Sequence, residues 1–323
     1  SGGPGTGKTS TVVRILALLL EQAHDRDEEL NIALAAPTGK AAARLKESIV
    51  SARETLSINE NIRSKIPDEA MTIHQLLGAR RNRSAFRHDT DNPVPYDLII
   101  IDEASMVDQA LMSKLTTALL EKCRLILLGD KDQLASVEAG SVLGDICDVD
   151  TTRFSENMAD WLARAGVNIA DENVTPTAEL LTDNITLLTK SYRFDENSGI
   201  AHLADTVNNV LSDKAIEILQ SPEFSDTQLL SATNKSQLES MLQSRLVPDF
   251  RKVVESATPQ QALDAFGSFQ ILAAHRRGPW GIKSLNQLTE KLLLEYGMIS
   301  KYERWYTGKP VIINENNYRF PGI

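Results

Sequence analysis

Residues of the right types for one reaction are spread over the first 133 positions: Lys8 and Thr9, the adjacent acids Asp102 and Glu103, and Gln133. Lys8 and Thr9 close the run "GGPGTGKT", which matches G-x-x-x-x-G-K-[ST] through Gly2, Gly7, Lys8 and Thr9. Glycines allow successive backbone N–H groups to converge on phosphate oxygens, and a helix beginning at Lys8 presents its positive end to the same anion. Gly3, Gly5, Gly7 and Ser10 complete that cradle. Lys8 is placed for the β- and γ-phosphates of a nucleoside triphosphate, and the Thr9 hydroxyl for Mg²⁺. In "LIIIDEAS", Asp102 ends an apolar run and is the second Mg²⁺ candidate. Glu103 beside it is the candidate general base for an attacking water. Gln133, in "LLGDKDQLASVEAG", has an amide able to donate to a γ-phosphate and accept from that water. Together these residues predict a nucleoside triphosphate hydrolase that uses Mg²⁺.

Strand ends must carry them. "TSTVVRILALLLEQ" reads as a helix, "NIALAAP" as a strand, "KAAARLKES" as a helix, "YDLIIIDEAS" as a strand, "DQALMSKLTTALL" as a helix and "CRLILLGD" as a strand. Nearly continuous apolar strands alternating with helices predict an α/β fold with a parallel sheet covered on both faces. Ligands of such sheets sit at the carboxyl ends of the strands, so the glycine loop, Pro37–Thr38–Gly39, Asp102–Glu103 and Gly129–Asp130 are expected along one edge. From 145 to 184 the pattern breaks: nine acids face two arginines, as in a partly helical surface connection. Beyond it "ITLLTKSYRF", "SFQILAAH" and "KPVIIN" read as strands, with "SGIAHLADTVNNVL" and "KSLNQLTEKLLLEY" as helices between them. The expected organisation is a first α/β domain over 1–148, an acidic connection over 149–184, and a second α/β domain, cut short, over 185–323.

The 323 residues carry a net charge of −10, which argues against a general polyanion binder. Basic tracks are local: Lys40, Arg44 and Lys46; Arg80, Arg81, Arg83 and Arg87 with His88; His275, Arg276 and Arg277. Each track also reads as an ordinary solvated face. The two cysteines, Cys123 and Cys147, lack metal-type spacing and fit free thiols in a reducing cytoplasm. No apolar run is long enough for a membrane span, the longest being "ILALLL" at 15–20.

The runs "GGPGTGKT", "AAPTGKAAARL", "TIHQLLG", "IIIDEASMVD", "GDKDQLASVEAG" and "LTKSYRF" follow the motif order of superfamily 1 DNA helicases. Their wording resembles the RecD family, the alpha subunit of exodeoxyribonuclease V, and "ILAAHRRGPWGIKSLNQ" and "WYTGKPVIINENNY" extend the likeness. The resemblance covers nearly the whole chain and is weakest over 145–184. It implies two P-loop, RecA-like motor domains, the second incomplete, forming an ATP-driven 5′-to-3′ motor on single-stranded DNA, working with RecB-like and RecC-like subunits in double-strand-break repair and recombination, in the cytoplasm and away from membranes. It carries Lys8, Thr9, Asp102, Glu103 and Gln133 into the roles above. It adds Arg193, reaching across a domain cleft to the γ-phosphate. For DNA it points to Pro37, Thr38, Lys40, His74, Arg276 and Arg277. The arginine cluster at 80–87 reads as a duplex-splitting protrusion, a basic loop or a partner-facing patch.

Two later family motifs, one on DNA and one supplying a second arginine, have no counterpart before Ile323, and the strand expected ahead of the glycine loop does not precede Ser1. The chain therefore reads as part of a longer protein, weak or inactive as a motor by itself. A relaxase-type helicase of the same branch, and an assembly subunit that binds ATP without turnover, are the competing readings. Glu103, Gln133 and Arg193 count against the latter, because binding alone does not require them.

Overall fold

The computed structural model describes residues 1–80, 85–133, 142–148, 152–176, 181–195, 197–232, 234–300 and 305–312. Arg81, Arg83 and the 134–140 part of the run containing Gln133 lie outside them. The chain divides into two compact units, Ser1–Gln228 and Leu229–Ile323.

The first unit is built on a parallel sheet. Helix α1 (Lys8–Asp25) follows the glycine loop, then come β1 (Ile32–Ala36), α2 (Gly39–Thr55), α3 (Glu60–Lys65), β2 (Met71–Thr72), α4 (Ile73–Leu76), β3 (Leu98–Ile101), α5 (Gln109–Thr117) and β4 (Arg124–Leu127). The strand order is β2-β1-β3-β4, with Ile32 opposite Leu98, Ala35 opposite Ile101, and Ile101 opposite Leu127. The alternation of β3 explains its composition. Leu98 and Ile100 pack with Val12, Val13, Leu16, Leu45 and Ile49 of α1 and α2. Ile99 and Ile101 pack with Ile73, Leu77, Leu111 and Leu115 on the other face. All four β3 side chains are fully buried, which is why the strand is apolar at every position rather than at alternate ones.

Beyond β4 the sheet continues through a single bridge. Gly2 N–H donates to Gly129 O at 3.0 Å, and Leu188 N–H donates to Ser1 O at 2.8 Å. Ser1–Gly2 thus lies between the end of β4 and residues 186–188, with Gly2 and Leu188 paired in parallel. Of the strand expected over 185–194, only Leu188 forms a bridge among the described residues.

The rest of this unit includes α6 (Val142–Ile146), a short parallel pair of β5 (Phe154–Ser155) and β6 (Val174–Thr175), α7 (Glu156–Arg164), α8 (Gly199–Asn208) and α9 (Ser212–Gln220). The acidic stretch is more ordered than a plain connection. Ser155 N–H and Oγ both donate to the Asp183 carboxylate, at 2.8 and 2.7 Å, which ties the start of α7 to the far end of the stretch.

The second unit contains α10 (Lys235–Val254), α11 (Pro259–Gly267) and α12 (Ile282–Glu295). Leu242 packs with Leu285, Leu288 and Leu292, and Leu246 and Phe250 pack with Leu293. No strand occurs among its described residues, against the expectation for "SFQILAAH" and "KPVIIN". β-type apolar residues there lack a sheet to enter: Leu272 is 93% exposed and Ile312 is 73% exposed. Propensity alone does not make a strand without a neighbour to pair with. Among the described residues, no helix is long and apolar enough to cross a membrane.

Candidate nucleotide site

The glycine loop turns because two of its residues are left-handed. Gly5 has φ +76° and Gly7 φ +82°, conformations that cost little only without a Cβ. Gly7 caps α1 without any side-chain bond, so the first N–H groups of an 18-residue helix are left for an anion. Thr6 is buried and its Oγ1 donates to Gly3 O at 2.8 Å, which holds the loop closed on itself. Lys8 Nζ donates to Gly2 O at 2.5 Å and Gly3 O at 3.1 Å, spanning the loop from inside. Thr9 and Ser10 follow in the first turn of α1.

The acids arrive from β3. Asp102 N–H donates to Ala35 O at 2.9 Å, continuing the ladder one residue past the strand. Burial raises the Asp102 pKa above the ordinary carboxylate value, while the Glu103 backbone N–H and the Lys8 charge oppose the rise. The Glu103 pKa is also raised, first by burial and then by the neighbouring Asp102 charge, with Lys8 and Arg44 opposing. Glu103 has φ +53°, a left-handed backbone in a residue with a full side chain. Such strain costs on the order of 1–3 kcal/mol and persists where surrounding structure enforces it. Here the next residue is pinned, since Ala104 N–H donates to Leu128 O at 2.8 Å.

Two crowded carboxylates facing one lysine leave negative charge to be balanced. That donor set suits Mg²⁺, which takes one or two carboxylates together with phosphate oxygens.

Gln133 is tied to the turn after the acid pair through Ser105, which motif spacing alone does not single out. Ser105 is 3% exposed, and its Oγ donates to Gln133 Oε1 at 3.0 Å.

Arg193 lies against the loop within the first unit. Tyr192 N–H donates to Gly5 O at 2.8 Å and Ser191 Oγ to Pro4 O at 3.2 Å. A Cβ added to Gly5 falls 2.3 Å from Arg193 Cβ. Gly5→Ala is therefore expected to drive residues 191–193 off the loop. Calorimetric titration with ATP should show binding weakened by at least tenfold, and unchanged binding would refute this close fit. Tyr192, also unanticipated, is 75% exposed and lines an open cleft of about 600 Å³ with Thr6, Gly7, Ser10, Thr11 and Arg14. A flat ring beside the phosphate loop is suited to stack on a base.

The DNA candidates divide. Pro37 and Thr38 follow β1, and His74 follows β2, which pairs with β1 through Ala36 and Thr72. These residues share the sheet edge with Asp102, on the side away from Gly2. Thr38 Oγ1 accepts from Ala41 N–H at 3.2 Å and caps α2, so part of its role is structural. Lys40 is exposed in the first turn of α2. His74 is exposed and meets the Phe86 ring edge-on at 5.7 Å. Arg276 and Arg277 are exposed before α12, in the second unit.

A parallel sheet with helices on both faces, a glycine loop at a helix start and an acid pair at a neighbouring strand end define a P-loop NTPase domain of the RecA-like type. Residues 1–139 match the family model described as an AAA domain. Along nearly its whole length, the chain is similar to RecD subunits. It is 35% identical over 343 residues to the RecBCD enzyme subunit RecD of Haemophilus influenzae, covering 98% of this chain and 53% of that protein. Its first part is 43% identical over 140 residues to the ATP-dependent RecD2 DNA helicase of Deinococcus radiodurans, covering 43% of this chain and 16% of that protein. Among solved structures, the Pif1 helicase from Bacteroides matches at 19% identity and a TM-score of 0.36, covering 76% of this chain and 51% of that one. The chain spans about half the length of the RecD subunit it matches.

Proposed function

We propose that the chain forms the motor of an ATP-dependent, 5′-to-3′ single-stranded-DNA translocase and helicase. It would act as the RecD-type subunit of a RecBCD-like enzyme in double-strand-break repair and recombination. The observation that supports this reading is that the Lys8 charge acts on Asp102 and Glu103 while the 191–193 segment is hydrogen-bonded to the same glycine loop. Binding without turnover needs neither a base nor a γ-phosphate sensor, so the assembly-subunit reading is the weaker one.

In this account the loop N–H groups and Lys8 hold the triphosphate, and Tyr192 faces the base. Thr9 and Asp102 hold Mg²⁺, which supplies charge neutralisation at the phosphates when bound. Glu103 takes a proton from the attacking water, and its raised pKa strengthens it as a base. Lys8 and Arg193 offset charge on the transferred group. Because 191–193 is hydrogen-bonded to the loop itself, a nucleotide that moves the loop also moves this segment, a route from hydrolysis to motion. A second RecA-like domain within 185–323 carries Arg276 and Arg277 to the DNA. Thr38, Lys40 and His74 contribute phosphate and stacking contacts from the first domain. RecB-like and RecC-like subunits are the protein partners, in the cytoplasm.

Polarity is tested with the full-length protein on duplexes tailed at the 5′ or the 3′ end. Unwinding is expected only from the 5′ tail. Unwinding only from the 3′ tail would contradict the assigned direction, and nicking of DNA by this subunit alone would favour the relaxase-type alternative.

A further inference from the structure

We infer that Ser105 is a positioning residue for Gln133, fixing which end of its amide the nucleotide meets. The inference rests on the ATPase reading above and deepens it.

The Ser105 hydroxyl is enclosed in the fold and donates to Gln133 Oε1 at 3.0 Å, across 28 residues of sequence. An Asn or Gln amide presents an acceptor at one end and two donors at the other, and unconstrained it can turn either end toward a ligand. Ser105 engages the acceptor end. The donor end, Nε2, has no protein partner among the described residues. A γ-phosphate offers only acceptors, so the restrained amide is set to donate.

Ser105 can do this because its own position is rigid. It sits in a single 3-10 turn, Ala104–Met106, directly after the left-handed Glu103. Ala104 N–H is bonded to Leu128 O at 2.8 Å. Gly129, next along from Leu128, leaves no room for a side chain: an added Cβ falls 2.3 Å from Leu143 Cδ2 and 3.2 Å from Ser105 N. The ends of β3 and β4 are thus stitched together at Ala104–Leu128 and at Ser105–Gln133. Through this pair of links the base and the sensor keep one relative geometry.

The test is a double-mutant cycle in ATP hydrolysis by the full-length protein. Ser105→Ala is expected to lower kcat about tenfold, the size of one orienting hydrogen bond, with the KM for ATP and the thermal midpoint unchanged. In a Gln133→Ala background, adding Ser105→Ala should change kcat less than twofold. Ser105→Cys fills similar space with a weak donor and should lose rate as the alanine does, which guards against a folding artefact. Wild-type turnover in Ser105→Ala or Ser105→Cys, or full additivity with Gln133→Ala, overturns the inference. If Gln133→Ala itself hydrolyses ATP at the wild-type rate, the failure belongs to the sensor reading of Gln133.

Discussion

Glu103→Gln is expected to bind ATP as well as the unmodified protein while hydrolysing it about 10²–10⁴-fold more slowly, the range a positioned general base contributes. Glutamine keeps the shape and the strained backbone but cannot accept the proton. Two further consequences follow from the raised pKa of Glu103. Turnover in the unmodified protein should fall as pH drops through that raised value, above the usual glutamate region of about 4.3. Stability runs the other way. A carboxyl whose folded pKa lies above its unfolded value destabilises the fold when ionised, and the penalty disappears as pH falls through the folded value toward the unfolded one. At neutral pH without nucleotide, Glu103→Gln should therefore raise the thermal midpoint. A scanning calorimeter reads this directly. A variant that is slow but less stable would mean that Glu103 has a structural role the bonding around it does not reveal.

Lys8→Gln should have the other large effect, and on a different quantity. In the structure Lys8 Nζ bridges Gly2 O and Gly3 O, and its charge acts on both Asp102 and Glu103. A triphosphate entering the loop exchanges those carbonyls for phosphate oxygens as partners of the ammonium. The glutamine variant cannot make that exchange with charge. Removing one preorganised donor from a site of developing negative charge lowers kcat by about 10²–10³. ATP affinity should fall as well, because this contact exists before the chemical step. Filter binding of labelled ATP separates the two variants: Glu103→Gln retains it and Lys8→Gln loses it.

The site was legible in sequence where chemistry depends on adjacent residues. "GGPGTGKT" names a loop because glycine, lysine and threonine act together over eight positions, and "LIIIDEAS" reads as a doubly buried strand ending in acids. What sequence did not carry was contact across distance. Nothing in "DEAS" says that Ser105 meets Gln133, and nothing in "SYRF" says that Tyr192 N–H bonds Gly5 O. The same limit explains the strand errors. "SFQILAAH" has the composition of a strand, yet pairing depends on a neighbouring strand that composition cannot supply. In the acidic stretch, the pairing of Phe154–Ser155 with Val174–Thr175 was invisible because two-residue strands leave no periodicity to read.

The central claim is that this loop powers a DNA-dependent motor, and Mg²⁺-dependent ATP hydrolysis by the full-length protein, with and without single-stranded DNA, tests it most directly. The account predicts turnover that rises on adding DNA and vanishes in Lys8→Gln. Turnover indifferent to DNA, or surviving in Lys8→Gln, would contradict it.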